Sequence, residues 1–196
     1  TVAGLADAPR LAALAREGGA ARLAPPLPAV TCTSQATMLT GRAPRDHGIV
    51  GNGWYFRDLA QIWFWRQSAR LVGGERLWAA ACARAPSVTC AKMFWWFNMH
   101  SSADVSVTPR PAYWSDGRKT SDVYAEPPDL RDDLVERLGE FPLFRFWGPA
   151  AGIESSRWIA DASLRVLERF RPAILLAYLP HLDYDLQRFG PATPQA

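Results

Sequence analysis

One stretch, Ala173 to Leu179, constrains the fold most because it is an uninterrupted run of seven apolar residues between two prolines. Such a run is typical of a buried strand in a parallel sheet whose two faces are both covered. Glu154–Phe170, just before it, has apolar residues at helical spacing and predicts a long amphipathic helix. Strands that alternate with helices along the chain predict an α/β fold with a mostly parallel central sheet.

Further elements follow from apolar spacing and from glycine and proline punctuation. Helices are predicted at 7–17, from Thr31 to Gly41, at 75–85 and at 129–138. Residues 1–5 are predicted to be the last residues of a strand, and a further strand is predicted at 87–94. The irregular stretch from Trp54 to Leu71 indicates a short strand and a loop. Residues 101–128 contain four prolines and an Asp116-Gly117 turn, which predict a lid or loop excursion from the core.

Composition excludes several classes of function. The chain of 196 residues is 48% hydrophobic and 21% charged, as expected of one globular domain or part of one. Its net charge of +3 contains no basic run, which argues against a nucleic-acid surface but suits an anionic substrate. No apolar stretch is long enough to span a membrane. The sequence leaves the oligomeric state and the compartment open. The cytoplasm is favoured, because the three cysteines suggest reduced thiols and the start does not resemble a signal peptide. Most of the nine tryptophans are predicted to be core, although an aromatic platform for a ligand is an alternative.

The stretch from Pro28 to Tyr55 carries the first candidate site. Thr31, Thr33 and Ser34 are residues that favour helix N-termini, where free backbone N–H groups and the macrodipole attract anions. A hydroxyl there is well placed to meet a phosphate. The alternative is that the three side chains only cap the helix.

The same stretch resembles the type I phosphodiesterase/nucleotide pyrophosphatase family of the alkaline phosphatase superfamily. The matching elements are Thr31, Thr40-Gly41, His47-Gly48-Ile49 and Asn52. The resemblance implies that Thr31 is the nucleophile and that Asn52 helps to hold a phosphoryl oxygen. Cys32-Thr33-Ser34 departs from the family's usual residues after the threonine, so Thr33 is the alternative nucleophile. His47 is predicted to brace its loop.

A second matching region follows the apolar run, where ligand sites of open α/β sheets collect. The family has a metal-binding Asp here, a metal-binding His four residues later, and then Gly-Pro; in this chain the Asp is Asp183 and the Gly-Pro is Gly190-Pro191. Gln187 stands at the His position. Since an amide carbonyl binds zinc less well than imidazole, this subsite is predicted to be weakened, to take another divalent ion, or to recruit His181. The alternative is that Asp183 only shapes a turn.

The resemblance implies a three-layer α/β/α sandwich and a hydrolase with two divalent metal ions, zinc being expected. Thr31, Asp183 and Gln187 would be metal ligands, and the substrate a small phosphoester such as a nucleotide. The family's first-strand Asp has no counterpart at Ala3-Gly4, and nearby Asp7 is better explained as a helix N-cap. Other family ligands have no match in 1–196, so we expect a partial catalytic domain that is inactive alone. Two alternatives stay open: a non-catalytic member that binds a nucleotide or a protein, and a phosphomonoester or phosphonate hydrolase.

Overall fold

The computed structural model describes residues 7–194, which form seven α-helices and eight β-strands. The helices are Pro9–Gly18 (α1), Thr31–Thr40 (α2), Pro44–His47 (α3), Leu77–Arg84 (α4), Asp129–Leu138 (α5), Ile153–Phe170 (α6) and His181–Phe189 (α7). The strands are Gly53–Phe56 (β1), Gln61–Phe64 (β2), Cys90–Met93 (β3), Val105–Pro109 (β4), Ala112–Tyr113 (β5), Lys119–Thr120 (β6), Val123–Glu126 (β7) and Ile174–Ala177 (β8).

Four of these strands form the central sheet, in the order β7, β4, β3, β8. β3 pairs in parallel with both β4 and β8, so that Ala91 lies opposite Val105 on one side and Leu175 on the other. β7 runs antiparallel to β4. The predicted α/β fold with a mostly parallel sheet is therefore confirmed.

Helices cover both faces of the sheet. Alternate residues of a strand point to opposite faces, so each strand contributes side chains to the packing on both sides. Ala91 and Val107 pack with apolar side chains of α5 and α6 in a cluster on one face. Cys90 lies on the other face with Leu39 of α2 and Trp78 of α4. The result is the expected arrangement of three layers, helix, sheet and helix.

Helix predictions are confirmed where apolar spacing and end signals agree. α5 ends at Leu138 and α6 at Phe170, as predicted. α2 ends where Gly41 takes a φ of 63°, a left-handed conformation that glycine adopts without a steric penalty. The prediction that Asp7 caps α1 is wrong: Ala8 holds the N-cap position. The reason is Pro9, since a proline favours the first helical turn, where its missing N–H is not needed.

The predicted excursion at 101–128 is shorter than expected, because β4 and β7 lie within this stretch and belong to the central sheet. Pro109 is the last residue of β4 and Pro127 follows β7, so both prolines stand at strand ends, where a missing N–H costs little. The hairpin of β5 and β6 stands outside the central sheet, with Tyr113 70% exposed and Trp114 54% exposed. A lid role for this hairpin stays a prediction.

The apolar run at 173–179 does form a strand, β8, but not a fully covered central one. In the sheet that residues 7–194 form, β8 is an outer strand, and Ile174, Leu175 and Leu176 are half-buried. An apolar run indicates covered faces and carries no information about which strands lie on each side. The strand end predicted at 1–5 falls outside the described residues. Residues 53–64 form an antiparallel hairpin, β1 with β2, where a single short strand was expected.

None of the helices described in 7–194 has the length together with the apolar character that crossing a bilayer requires.

Candidate active site

Thr31 is the first residue of α2, and the residue that precedes it, Val30, occupies the N-cap position in an extended conformation. No side chain caps this end through the N-cap residue, so capping does not account for the run of hydroxyl residues. The side chain of Thr31 is half-buried, whereas Thr33 is fully buried and its Oγ1 has no hydrogen-bond partner among residues 7–194. Of the two threonines, Thr31 is the one that faces open space.

Asn52 lies directly beside this helix end. The backbone N–H of Cys32 donates to Asn52 Oδ1 over 2.9 Å, so a free N–H of the first helical turn is satisfied from a distant loop. This bond uses the carbonyl of the side-chain amide and leaves its NH2 group available as a donor. The backbone carbonyl of Asn52 accepts from the N–H of Trp65, which fixes the residue at the end of the β1–β2 hairpin.

His47 joins α2 to the loop that carries Asn52. It is 1% exposed, its Nδ1 accepts from the N–H of Ile49 over 3.1 Å, and its Nε2 lies 3.0 Å from Thr37 Oγ1 on α2. Because Nδ1 accepts, Nε2 carries the proton in the neutral ring and donates to Thr37. Burial lowers the pKa of His47, which keeps the ring neutral. The prediction that His47 braces its loop is confirmed.

Asp183 and Gln187 lie one turn apart on α7, and both side chains are exposed. Gln187 Nε2 donates to Asp183 Oδ2 over 2.7 Å. The two residues line the same cavities as Thr31 and Asn52, so the structure brings all four predicted site residues together.

Three other predicted candidates do not join this group. His181 Nδ1 lies 2.9 Å from Ser156 Oγ on α6, and His181 lines neither of the cavities described below, so it attaches α7 to α6 instead of replacing Gln187. Asp7 is exposed and also lines neither cavity. Thr33, the alternative nucleophile, is excluded from both cavities by its burial.

Two cavities meet at Thr31, Asn52, Asp183 and Gln187. The first, here called the aromatic cavity, has a volume of about 530 Å³ and is lined further by Trp65, Trp96, Phe146, Trp147 and Tyr184. The second, called the helix cavity, has a volume of about 440 Å³ and is lined further by Ser34, Gln35, Met38, Trp95 and Leu179. Thr31 thus lines both cavities.

The prediction that most tryptophans are core is wrong for two that line the aromatic cavity, Trp65 and Trp147. Trp96 and Trp158 are buried, but Trp65 is 46% exposed and Trp147 is 41% exposed. These two indoles belong to loops whose position depends on tertiary contacts, which apolar surroundings in the sequence do not specify.

Tyr178 is a site residue that sequence reasoning missed. It follows β8 and lines both cavities, and burial raises its pKa to about 12, although a hydrogen bond with the Thr31 side chain acts in the opposite direction. The phenol therefore stays protonated at neutral pH. The signal in the sequence is its position near the end of the apolar run, next to the polar segment that carries Asp183.

The donors for a metal ion are few in the described part of the chain. Within 7–194 no group of three or more His, Cys, Asp or Glu side chains is placed to hold a metal ion. Thr31, Asp183 and Gln187 offer one hydroxyl, one carboxylate and one amide, which are all oxygen donors and suit hard cations better than zinc. By their chemistry, these three donors are compatible with part of one site for a hard cation.

All three cysteines are free thiols, and burial raises the pKa of Cys32, next to Thr31, to about 12. The thiol of Cys32 is therefore protonated at neutral pH and packs as a small buried side chain, as predicted.

Comparison with known families yields a match over most of the chain. A sequence model of the family described as type I phosphodiesterase / nucleotide pyrophosphatase matches residues 3–196. No curated protein matches the chain. Since the match covers nearly the whole chain, the chain belongs to the type I phosphodiesterase / nucleotide pyrophosphatase family.

Proposed function

We propose that the protein is a metal-dependent hydrolase of phosphodiester or pyrophosphate bonds in small molecules, with the Thr31 hydroxyl as the nucleophile. The family supports a phosphoester hydrolase as the reaction class. The observation that carries the finer proposal is the position of Thr31, which begins α2 at the junction of two cavities and has Asn52 and Asp183 beside it.

In the proposed reaction the Thr31 oxygen attacks phosphorus, and the bond from phosphorus to the leaving oxygen breaks. The hydroxyl proton of Thr31 passes to solvent water, and the leaving oxygen takes a proton from solvent. Water then attacks the same phosphorus and breaks its bond to Thr31, which restores the hydroxyl and releases the second product. The free NH2 group of Asn52 donates to the phosphoryl oxygen on which charge develops, and one such donor contributes about 3 kcal/mol.

The cofactor in this proposal is a divalent cation with Thr31, Asp183 and Gln187 as its ligands from this chain. A bound cation would supply the positive charge that lets the Thr31 hydroxyl lose its proton near neutral pH. Tyr178 does not take that proton, because its phenol is already protonated. The family resemblance suggests two ions and zinc, whereas the oxygen donors of this chain favour manganese or magnesium.

The test is hydrolysis of bis(para-nitrophenyl) phosphate by the purified full-length protein after loading with zinc, manganese or magnesium. Thr31→Val and Thr33→Val are a matched pair, since each removes one hydroxyl and keeps the side-chain shape. We expect Thr31→Val to lower kcat by about a thousandfold or more. Thr33→Val is expected to leave kcat near that of the wild type. Equal losses in both variants, or full activity in Thr31→Val, would contradict the assignment of the nucleophile.

A non-catalytic member of the family is the second candidate, and the bond between Gln187 and Asp183 favours it. In that bond an amide N–H of Gln187 donates to one carboxylate oxygen of Asp183. Asp183 therefore has a hydrogen-bond partner without a cation. This candidate predicts a protein that binds a phosphoester without metal and does not turn it over. Metal analysis separates the two, with Gln187→His beside the wild type: if His at 187 creates metal binding and turnover that the wild type lacks, the non-catalytic candidate is supported.

A further inference from the structure

Lys92 is a basic side chain in the interior of the molecule. It lies on β3 and is fully buried, and no Asp or Glu side chain of residues 7–194 forms an ion pair with it. Its Nζ donates to the backbone carbonyl of Phe97 over 2.9 Å and lies 4.9 Å from the centre of the Trp78 ring. Burying a lysine costs free energy, which its contacts must offset. The bond to Phe97 therefore links the interior of the sheet to the loop that follows β3.

This bond does not depend on the charge of Lys92. Burial lowers the pKa of Lys92 to about 7, while the nearby Cys90 side chain acts in the opposite direction and Arg76 in the same one. Near neutral pH the side chain is therefore partly ammonium and partly amine. Both forms carry N–H groups, so both can donate to the carbonyl of Phe97.

The loop after β3, residues 94–100, has an unusual backbone. Phe94, Phe97 and His100 each have a φ of 59°, in the left-handed region that residues other than glycine seldom adopt. Such a conformation persists only where surrounding contacts hold it. The loop therefore needs bonds that keep it in place, and the bond from Lys92 is made to one of the three residues, Phe97.

Asn98 holds the same loop against the ends of two strands. Its Nδ2 donates to the carbonyl of Lys92 on β3 over 3.0 Å and to the carbonyl of Val107 on β4 over 2.8 Å. The backbone N–H of Phe94 donates to the same carbonyl of Val107 over 2.7 Å. The side chain of Lys92 and the amide of Asn98 thus fix neighbouring residues of the loop to the central sheet.

The fixed loop in turn contacts the helix that carries Thr31. The backbone N–H of Trp96 donates to Gln35 Oε1 over 2.7 Å, and both residues are buried. Gln35 follows Thr31 by four residues on α2, so the two lie on the same side of this helix. A continuous series of contacts therefore runs from Lys92 through the loop to the first turns of α2.

We propose that Lys92 is a positioning residue for Thr31, because it holds the loop 94–100 in the conformation in which Trp96 fixes Gln35 and with it the start of α2. The inference rests on the proposed function, since it treats Thr31 as the nucleophile. Lys92 lines neither the aromatic cavity nor the helix cavity, so its effect on the reaction would be indirect.

Hydrogen exchange of the full-length protein is the first test, because it does not depend on turnover. Lys92→Met keeps an unbranched apolar side chain and removes the donor to Phe97. We expect exchange in residues 94–100 and 31–37 to become at least about tenfold faster in this variant. Exchange in these two segments at the rate of the wild type would overturn the inference.

Two further variants separate a specific link from a general loss of stability. Val166→Ala removes buried methyl groups on the opposite face of the sheet and leaves the bonds of the loop intact, so it is the matched control. Gln35→Met breaks the link at α2 and keeps the test decisive if Lys92→Met does not fold. It is expected to speed exchange in 31–37 as Lys92→Met does. Equal acceleration by Val166→Ala would overturn the link.

Kinetics test the effect on Thr31 in the metal-loaded, full-length protein with bis(para-nitrophenyl) phosphate. We expect Lys92→Met to lower kcat about tenfold with little change in KM, because a displaced nucleophile slows the chemical step. The double variant with Gln35→Met should lose no more activity than the weaker of the two single variants, since both break one series of contacts. Losses of kcat that multiply in the double variant would contradict that series.

The two proposals fail in different ways. Faster exchange in 94–100 and 31–37 of Lys92→Met, with no turnover by any metal-loaded wild type, would support the link from Lys92 to α2 and contradict the hydrolase. Turnover that depends on Thr31 but is as fast in Lys92→Met as in Val166→Ala would support the hydrolase and overturn the positioning role of Lys92.

Discussion

The two sides of the candidate site are positioned by different means. The nucleophile side consists of α2, α3 and the loop to Asn52; five residues of α2 are buried, and His47 is buried behind them. The carboxylate side is α7, which carries Asp183 and Gln187 and has no buried residue. Core packing holds the first side, whereas hydrogen bonds at the two ends of α7 hold the second.

This difference indicates which of the site residues are held in position by the packing of the fold. Thr31 and Asn52 are linked through the Cys32 N–H, so their relative position is fixed by the fold. Asp183 and Gln187 are exposed and bonded to each other, and their position follows from where α7 docks. We therefore expect substitutions on the nucleophile side to affect stability and rate, and those on the carboxylate side to affect mainly ligand or metal affinity.

The largest expected effect compares two histidines, one on each side. His47→Ala removes a buried ring and leaves the Ile49 N–H without its acceptor, so we expect a loss of about 3 kcal/mol in the free energy of unfolding. His181→Ala removes one partly exposed contact with Ser156, and the expected loss is about 1 kcal/mol. Denaturant unfolding of both variants measures the difference. Equal losses would mean that the two sides are held equally firmly.

The next effect concerns rate. Asn52→Ala removes the donor beside Thr31, and we expect kcat to fall about a hundredfold while KM changes little. Steady-state hydrolysis of bis(para-nitrophenyl) phosphate by metal-loaded protein gives both constants. A rise in KM at unchanged kcat would show that Asn52 contributes equally to the ground state and the transition state.

A smaller effect is expected from Arg188, whose guanidinium attaches α7 to the segment 148–151 next to Trp147. Arg188→Met keeps the apolar stem and removes these bonds, so we expect KM to rise severalfold with kcat nearly unchanged. Hydrogen exchange of residues 147–151 should become faster in this variant. Arg188→Lys is the control. Because a lysine can keep one of these bonds, we expect its KM and exchange rates to lie between those of the wild type and those of Arg188→Met.

The smallest effect is the pH dependence of stability that His47 contributes. Its pKa in the folded protein is lowered from 6.5 by burial, so the unfolded chain binds more protons as pH falls through 6.5. Stability is therefore expected to decrease below about pH 6.5 and to be fully present above it. His47→Gln should remove this part of the slope. Unfolding curves at several pH values for both proteins measure it, and identical slopes would contradict the lowered pKa.

The sequence was most informative where the signals are local. The end of α2 at Gly41 and the extents of α5 and α6 follow from turn glycines and apolar spacing, both of which act within a few residues. β4 and β7 were missed because the prolines of 101–128 indicate a loop, while their position at strand ends depends on pairing with distant residues. The outer position of β8 in the sheet also depends on pairing with distant residues, so the apolar run does not predict it.

The candidate site divides in a similar way. Thr31, Asn52 and Asp183 were predicted because their spacing matches a family pattern, and the structure places them around one junction. Arg188 donates to the carbonyl of Gly148, and Tyr184 hydrogen-bonds to the Gly148 backbone. These bonds hold the loop before α6 against α7, where Trp147 and Tyr184 line the aromatic cavity. No spacing in the sequence encodes that contact.

The central claim, that Thr31 is a covalent nucleophile, is tested most directly by trapping the adduct. Metal-loaded protein would be mixed with bis(para-nitrophenyl) phosphate, quenched in acid during turnover and digested with trypsin, which releases residues 23–42 as one peptide. Fragmentation of this peptide by mass spectrometry locates the phosphoryl group among its hydroxyl residues. The account predicts the para-nitrophenyl phosphoryl group on Thr31 and none in Thr31→Val. A group on Thr33 or Ser34, or turnover without any adduct on this peptide, would contradict it.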